Sequence, residues 1–298
     1  MYPVKRVVPL VFPKHQYKDR FGEPNAFVDM NPSMFIRPDG QLTVLVRRVN
    51  YRKYADKQFS LASYPSQSKY LVATGSVTDL TRWHLEPLRV HYGMMTYPTY
   101  WSGPEDIRFV AENQVIATIP ECNPTGNPAI FQGRLEGAVM NSVEPCYPND
   151  IEKNWMPYTD SMGQQRVIYS LSPLCIKHIR TPETERVECN LPELKGYHGS
   201  TNGIVYMGDY RLFLVHVNRE RTYHRWLLFH PSKKTVEVSD EFVFFQHSYI
   251  EFPLSLCDHG EKLYVSLGVN DEAGYILEID VWPTFQENLI KDVAILTG

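Results

Sequence analysis

The sequence carries little excess charge and few cysteines, and each shortage excludes a class of protein. Its 298 residues contain 30 Lys and Arg against 34 Asp and Glu, which gives a formal net charge of −4. No basic surface for nucleic acid is therefore expected. The 5 cysteines are odd in number, widely spaced and without a C-x-x-C pair. This usage argues against a disulfide framework or a zinc site and indicates a reducing compartment.

Long apolar runs and the common nucleotide-binding and hydrolase motifs are missing as well. No stretch reaches the length of a membrane span, and the short N-terminal apolar run is interrupted by Pro9 and Pro13. No P-loop, G-x-G-x-x-G, G-x-S-x-G or D-x-D pattern occurs. Nucleotide hydrolysis, dinucleotide binding and serine-hydrolase chemistry therefore have no support. We expect a soluble, cytoplasmic protein that needs no metal and no bound cofactor.

Short strands that follow tight turns make up most of what is present. Each of five apolar segments rich in β-branched residues follows a turn and precedes a further strand. These segments are 41–47, 114–119, 166–170, 210–216 and 262–267. They recur every 45 to 75 residues, roughly the size of a four-stranded propeller blade with its loops. The 22 prolines are spread throughout the chain, and no helix longer than two turns is predicted.

This pattern predicts an all-β fold, a β-propeller formed by residues 1–298 as a single domain. A lone four-stranded blade cannot bury both of its faces, whereas blades packed in a ring cover one another. The inner strands of the ring converge on a central channel. Polar residues at the starts of these strands should therefore meet at one mouth, although they are far apart in sequence. A β-sandwich with this many strands would need a break that the sequence does not contain.

Two polar segments provide the candidate chemistry. The segment 103–108 reads GPEDIR, and the segment 152–158 reads EKNWMPY one strand pair later. Carboxylates can perform acid–base work on a glycosidic bond, and flat aromatic rings can hold sugar faces. The alternative interpretation is two loop-end salt bridges, which are common and contribute little when exposed. The combination of both segments in one chain favours a sugar-processing cleft.

The polar motifs also follow one another in a familiar order. They are Asn31-Pro32-Ser33, Glu105-Asp106-Ile107-Arg108, Lys153-Asn154, His198-Gly199-Ser200-Thr201, Tyr223-His224-Arg225 and Asn270-Asp271. This series resembles the family of β-mannoside phosphorylases and β-1,2-mannosidases, together with the related protozoan mannosyltransferase-phosphorylases. The resemblance runs from about residue 31 to residue 271. It implies a five-bladed β-propeller with a central-channel active site that acts with inversion on a β-mannosidic or similar linkage.

The resemblance implies that Asp106, the aspartate of the Glu-Asp-Pro-Arg motif of the family, is the general acid. From its chemistry, Glu152 is the second catalytic candidate, as a base that activates water. The substrate-binding candidates, from the resemblance and from residue type, are Asn31, Arg47, Trp101, Glu105, Arg108, Lys153, Asn154, Trp155, Tyr158, His198, His224, Arg225 and Asp271.

Each candidate also has a structural interpretation. Asp106 and Asp271 could be turn residues that cap backbone amides. Glu152 and Lys153 could be a solvated ion pair. The aromatic candidates could pack between blades, and the histidines lack the spacing of a zinc site and could be structural.

The chain departs from the family pattern at two places. Ile107 stands where the family motif has proline. The strand end Ile168-Tyr169-Ser170 replaces the Leu-His-Arg of the family, whose arginine helps to bind phosphate. Without that arginine the anion lacks a bidentate partner unless Arg166 or Arg225 substitutes for it. This departure favours hydrolysis or glycosyl transfer over phosphorolysis.

Two alternatives therefore stay open beside the glycosidase or phosphorylase prediction. One is a glycosyltransferase that uses a sugar-nucleotide donor such as GDP-mannose in glycan synthesis. The other is a non-catalytic sugar-binding propeller, against which the retained Asp106 argues. The predicted partners are an oligosaccharide or glycoside substrate, inorganic phosphate as the co-substrate of a phosphorylase, a sugar nucleotide in the transferase alternative, and further copies of this chain in a homo-oligomer.

Overall fold

The structure is a computed structural model that describes residues 1–19, 21–53, 59–61, 66–146, 151–181, 183–187 and 191–280. Its regular elements are 27 strands and two short 3-10 helices, Pro120–Cys122 and Pro192–Leu194. The strands are β1 (Arg6–Leu10), β2 (Gln16–Lys18), β3 (Pro24–Ala26), β4 (Val28–Ile36), β5 (Gln41–Val49), β6 (Tyr51–Lys53), β7 (Phe59–Leu61), β8 (Ser66–Ser76), β9 (Asp79–Pro87), β10 (Arg89–Val90), β11 (Trp101–Ser102), β12 (Glu105–Ala111), β13 (Gln114–Thr118), β14 (Ile130–Glu136), β15 (Val139–Pro145), β16 (Met156–Thr159), β17 (Gln165–Leu171), β18 (Leu174–His178), β19 (Thr184–Val187), β20 (His198–Gly199), β21 (Ile204–Tyr206), β22 (Tyr210–Asn218), β23 (Thr222–His230), β24 (Thr235–Val238), β25 (Glu251–His259), β26 (Lys262–Val269) and β27 (Ala273–Asp280).

Twenty-three of these strands form the five blades of a β-propeller, while β2 pairs with β3 and β6 pairs with β7 in two separate two-stranded sheets. Blade I contains β4, β5, β8 and β9, with β11 added beside β8, and blade II contains β12 to β15 with β10 added beside β15. Blade III contains β16 to β19. In blade IV the short strands β20 and β21 both pair with β22, which is followed by β23 and β24. Blade V contains β25, β26 and β27, and β1 is its outermost strand. The predicted five-bladed all-β fold is confirmed.

A separate apolar core fills each gap between neighbouring blades, and the five cores close the ring. Strand β22 illustrates how the sequence achieves this. Leu212 and Leu214 pack into the core shared with blade V, whereas Phe213 and Val215 pack into the core shared with blade III. Because successive side chains of a strand point to opposite faces, a blade covered on both sides reads as one continuous apolar run.

The predicted strands match those observed, with small differences at their ends. The five turn-and-strand segments correspond to β5, β13, β17, β22 and β26. The polar segment 141–154, which leads into the EKNWMPY motif, begins within β15 of blade II. Residues 147–150 of that segment lie outside the described residues. Within the described ranges, no helix is long and apolar enough to cross a membrane.

Candidate active site

Asp106 is displaced from its strand by a bulge. The pairing of β12 with β13 shifts register between Glu105 and Arg108, and Asp106 has a φ of +47°. A bulge re-aims a side chain, and a non-glycine residue in the left-handed region is uncommon outside functional or strained positions. The bulge also frees the amide of Ile107, whose N–H donates to the Tyr70 hydroxyl at 3.2 Å. A proline at this position, as in the family motif, could not make that bond.

Arg47 joins the two carboxylates of this strand. Its guanidinium donates to Asp106 Oδ1 at 3.1 Å and to Glu105 Oε1. It also donates to Ser68 Oγ at 3.0 Å and to the Tyr51 hydroxyl at 3.3 Å. Arg47 is 4% exposed, while the carboxylates of Glu105 and Asp106 keep 14% and 21% of their surface. The arginine is thus a buried anchor, and the carboxylates are the groups that a solute can reach.

These contacts change the acidity of the groups around Arg47. Burial works to lower the pKa of Arg47, but the negative charges of Glu105 and Asp106 help to outweigh it, and that pKa lies well above its usual range. Burial is the largest cause that raises the pKa of Tyr51 to about 12, and the charges of Glu105, Asp271 and Asp106 act in the same direction. The Tyr51 phenol therefore stays protonated and the Arg47 cation stays charged at neutral pH.

Asn31 reaches the same carboxylate from blade I. Its side-chain amide donates to Asp106 Oδ1 at 3.4 Å, and the residue sits at a bulge of β4 with a φ of +41°. Its own Oδ1 is buried and has no hydrogen-bond partner in the part of the chain that the structure describes. Gly268 packs against this oxygen so closely that a Cβ there would lie 2.1 Å from it. The glycine thus fixes the amide that contacts Asp106.

Arg108 reaches across the channel from blade II. Its Nε donates to the Ser200 carbonyl of blade IV at 2.7 Å, and its guanidinium lies 5.8 Å from the centre of the Phe252 ring of blade V. It also donates to the carbonyl of Asp106 at 3.3 Å. Burial lowers the pKa of Arg108 despite the opposing charge of Asp106. Its Nη2 is buried without a hydrogen-bond partner among the described residues, so one donor of a buried cation is left for a ligand.

Histidines continue this network on blade IV. His216 Nδ1 and Ser200 Oγ share a hydrogen bond of 2.7 Å, and the exposed His198 ring lies 5.8 Å from the His216 ring. Burial is the largest cause that holds the pKa of His216 well below its usual range, and the neighbouring His224, His198 and Arg108 side chains act in the same direction. His216 is therefore neutral at physiological pH. His198 lies next to the Arg108 network, as the predicted substrate contact requires.

His224 is placed differently from the prediction. The ring is fully buried, and its Nε2 donates to Glu251 Oε2 at 3.0 Å. Burial works to raise the pKa of Glu251, but the bond and charge of His224, the Ser248 hydroxyl and the Phe244 amide outweigh it, so that pKa lies below its usual range. A histidine paired with a buried carboxylate and without exposed surface is structural, and its predicted substrate contact is corrected.

The segment 152–158 is largely structural. Glu152 is buried, accepts a hydrogen bond from the Trp155 indole N–H at 3.0 Å and lies 3.7 Å from Lys177 Nζ. Lys177 Nζ in turn lies 3.4 Å from the centre of the Tyr169 ring. Tyr169 directly precedes Ser170, the residue that stands in place of the phosphate-binding arginine of the family. The carboxylate of Glu152 is thus occupied by an ion pair and an indole. The prediction of a catalytic base at Glu152 is corrected for this reason.

Two aromatic predictions in that segment are corrected as well. Trp155 is 0% exposed in the core between blades II and III. Tyr158 is buried between blades III and IV, edge-on to Phe213 and Phe229. Neither ring offers a face to a sugar.

Lys153 and Asn154 remain close to the channel. Lys153 is exposed, and its Nζ lies 5.9 Å from the centre of the half-buried Trp101 ring. Asn154 has a φ of +60°, and its carbonyl packs on Gly199, where a Cβ would lie 2.2 Å from that oxygen. This contact places Asn154 beside Gly199, the last residue of β20, which directly precedes Ser200.

The two arginines that could replace the missing phosphate arginine are engaged elsewhere. Arg225 donates to the Tyr197 hydroxyl at 3.1 Å and lies 3.8 Å from Glu241, so its predicted substrate contact is corrected. Arg166 donates to Asp160 at 2.7 Å in a turn of blade III. Arg47 and Arg108 are instead the guanidinium groups that the structure places beside Asp106.

The last candidate, Asp271, lies near this group. It is partly exposed, has a φ of +53°, and its charge contributes to the raised pKa of Tyr51. Its neighbour Asn270 has a turn role, since Asn270 Oδ1 accepts the amides of Tyr249 and Ile250 at 2.9 and 3.1 Å. Asp271 therefore stays a candidate at the edge of the Arg47 cluster.

Sequence reasoning missed the hydroxyls and the ring that support these residues. Tyr51, Ser68 and Tyr70 position Arg47 and Ile107, and Ser200 and Phe252 position Arg108. Ser200 belongs to the motif His198-Gly199-Ser200-Thr201, which was the one sign in the sequence that this residue lies near the site. Throughout the described ranges, no group of three or more His, Cys, Asp or Glu side chains is placed to hold a metal ion.

Comparison with known proteins gives structural likeness at low sequence identity. No family model matches the sequence, and no curated protein matches it. A β-1,2-mannobiose phosphorylase from Listeria innocua, in complex with β-1,2-mannobiose, shares 12% identity over 94% of this chain and 100% of that chain, with a TM-score of 0.62.

Two further structures have the same architecture. A protein of the family of mannoside phosphorylases, described as containing glycoside hydrolases that target β-1,2 mannosidic linkages in Candida mannan, shares 13% identity over 92% of this chain and 90% of that chain, with a TM-score of 0.58. A mannose phosphorylase from Leishmania mexicana, in complex with a phosphate ion, shares 9% identity over 86% and 84%, with a TM-score of 0.51. The chain has the five-bladed propeller fold of the mannoside phosphorylases and related glycoside hydrolases.

Proposed function

We propose that the protein cleaves a β-mannosidic or similar linkage with inversion, and that Asp106 is its general acid. The observation that carries this proposal is the anchoring of Asp106. Arg47 and Asn31 both donate to Oδ1, and the Asp106 side chain keeps 21% of its surface exposed. A fixed Oδ1 orients Oδ2, which can then pass a proton to the glycosidic oxygen directly or through a sugar hydroxyl.

The remaining polar groups support sugar binding around that acid. Glu105, Asn154, His198 and Asp271 present acceptors and donors near the channel, while Lys153 adds an exposed cation. The similar structures described above are phosphorylases and glycoside hydrolases, some with mannobiose or phosphate bound. They support a glycoside substrate and give no support to a sugar-nucleotide donor.

The attacking nucleophile is water or inorganic phosphate. Phosphate needs cationic or N–H partners, and the unpartnered Nη2 of buried Arg108 is one described donor suited to it. Phosphate as co-substrate is therefore part of the proposal, although Ser170 replaces the arginine of the family. Sugar 1-phosphate as the product indicates phosphorolysis, and free sugar alone indicates hydrolysis.

The decisive experiment compares Asp106→Asn with the parent protein on β-1,2-mannobiose and on aryl β-mannosides, each with and without phosphate. Loss of a general acid should lower kcat/KM by about 10²- to 10⁴-fold on substrates with poor leaving groups. Aryl mannosides with acidic phenols need little protonation, so the variant should retain much more activity on them. Asp258→Asn, at an exposed position of β25, is the matched control.

Two results would refute the proposal. One is full turnover by Asp106→Asn on the disaccharide. The other is a parent protein that cleaves no β-mannoside under either condition. In the second case, extension of manno-oligosaccharides from GDP-mannose would point to the transferase alternative. Sugar binding that Asp106→Asn leaves unchanged would point to the binding-module alternative.

The finer points of organisation are also proposals. The four described cysteines, Cys122, Cys146, Cys175 and Cys257, are free thiols, which supports a reducing cytoplasmic location. The shared cores between blades support one domain over the whole chain, with residues 281–298 outside the described ranges. A homo-oligomer stays a prediction that light scattering on the purified protein would measure.

A further inference from the structure

A cleft of about 810 Å³ lies on the blade I–blade II side of the propeller, beside the Asp106 cluster. It is formed by the segment that leads from β10 into β12 and by the loop that follows the 3-10 helix 120–122. Tyr92, Tyr97, Tyr100, Trp101 and Glu121 are among its lining residues. Its volume falls within the range of about 300–1,000 Å³ that is usual for sites of small ligands.

The cleft contains buried polar atoms without partners. Glu121 is 6% exposed, and its Oε1 accepts the Tyr92 hydroxyl and the Gly103 amide, both at 2.6 Å. Its Oε2 is buried and has no hydrogen-bond partner in the described part of the chain, and the same holds for the indole N–H of Trp101. An unsatisfied acceptor and an unsatisfied donor in one cleft suit a ligand whose hydroxyls both donate and accept.

The aromatic rings add the second requirement of a sugar site. Tyr100 is 72% exposed, and Trp101 is half-buried beside it. Broad aromatic faces with a polar edge hold the apolar faces of a ring while the hydroxyls find polar partners. The carboxylate of Glu121 favours a neutral glycan over an anionic one, because like charges repel.

The wall of the cleft is continuous along the chain with the candidate active site. Gly103 has a φ of +91°, and a Cβ there would lie 1.8 Å from the Ser68 carbonyl oxygen. Ser68 Oγ donates to the Pro104 carbonyl at 2.5 Å and accepts from Arg47 Nε at 3.0 Å. The segment that forms the cleft wall at Trp101 is thus held against Ser68, which in turn contacts Arg47, the residue that binds Glu105 and Asp106.

From this continuity we propose that the cleft binds the distal sugar units of a neutral oligosaccharide whose scissile linkage lies at Asp106. This inference rests on the proposed function. It makes the protein an enzyme for chains longer than a disaccharide, with Tyr100 and Trp101 as rings that stack on the distal units. Glu121 and the Trp101 N–H then bind the hydroxyls of those units.

The test measures kcat/KM on β-1,2-mannobiose and on the matching pentasaccharide for the parent, Tyr100→Ala and Trp101→Phe. Met162→Ala, which removes an exposed side chain from a turn of blade III, is the control. The parent should prefer the pentasaccharide. Tyr100→Ala should reduce that preference by about 2- to 12-fold without changing the disaccharide value, since one lost aromatic contact has this size. Trp101→Phe keeps a six-membered ring but removes the N–H and part of the indole face, and its effect should be smaller.

Binding of the pentasaccharide to Asp106→Asn, measured by calorimetry, separates this inference from the proposed function. Weaker binding in the double variant with Tyr100→Ala, and unchanged binding with Met162→Ala, supports the cleft even if no β-mannoside is cleaved. The inference is overturned if Tyr100→Ala affects both substrate lengths equally. It is also overturned if the double variant with Tyr100→Ala binds the pentasaccharide as tightly as Asp106→Asn alone.

Discussion

Replacing Arg47 with lysine tests whether the anchored Asp106 explains activity. Lysine keeps the charge but presents a single ammonium group, and it cannot hold Asp106, Glu105, Ser68 and Tyr51 in one plane as the guanidinium does. At least one of the two contacts to carboxylates is therefore lost. Hydrogen bonds to charged groups contribute about 1.5–3 kcal/mol each to the free energy of unfolding.

That loss converts into a measurable change of melting temperature. With an unfolding entropy of about 2.1 cal/mol/K per residue, 1 kcal/mol corresponds to about 1.6 °C for this chain of 298 residues, so Arg47→Lys should lower Tm by about 2–5 °C. The effect on activity should be larger. A catalytic group displaced by about 1 Å can cost about 10²-fold in rate. We expect kcat/KM on β-1,2-mannobiose to fall by this order.

The neighbouring arginine is a matched control. Arg48 is also buried on β5, but it donates to Asp29 at 2.8 and 3.3 Å and to the Pro13 carbonyl at 3.0 Å, away from Asp106. Arg48→Lys should lower Tm to a similar extent and leave kcat/KM within about 2-fold of the parent. Equal losses of activity in both variants would show that Arg47 acts through stability alone, and full activity in Arg47→Lys would refute the anchoring argument.

Three further predictions concern burial and close packing. Because the folded pKa of Glu251 is lowered, its stabilising effect is complete above its usual pKa of about 4.3 and is lost as pH falls through the folded value. Thermal melts between pH 6 and pH 3 should show a steeper acid loss in the parent than in Glu251→Gln. Trp155→Phe should lower the free energy of unfolding by about 1–3 kcal/mol in urea melts, by leaving Glu152 without its indole donor, while KM stays constant. Gly268→Ala should displace the Asn31 side chain and break its hydrogen bond to Asp106. We expect a clear fall in kcat with a small change in Tm, and unchanged kinetics would contradict the role of that hydrogen bond.

The sequence predicted the propeller because its strands are apolar on both faces, as β22 shows with Leu212 to Val215. The order of motifs also predicted the meeting of Asn31 with Asp106. It could not distinguish aromatic packing from aromatic stacking, because the same residue types serve both. For that reason Trp155 was assigned to the site although it is fully buried in the core.

Long-range partners explain the other errors. Glu152 forms an ion pair with Lys177, which lies on β18, and no local sequence pattern predicts this pairing. The cleft around Glu121 escaped prediction for the same reason, because its wall joins two segments on either side of the 103–108 motif. Pairings of this kind depend on how blades pack, and a single sequence contains no direct record of them.

The outer strand of blade V is the N-terminal strand β1, in which Leu10 pairs with Gly274 of β27. Bringing these two segments together closes a loop that contains blades I to IV, at an entropic cost of about 5 kcal/mol. During synthesis β1 leaves the ribosome long before β27, because blades I to IV are made between the two strands. Until then, the apolar face that blade I later shares with blade V is uncovered. The ring therefore gains its full cooperativity in a single late step, and the nascent chain is most vulnerable to aggregation just before that step.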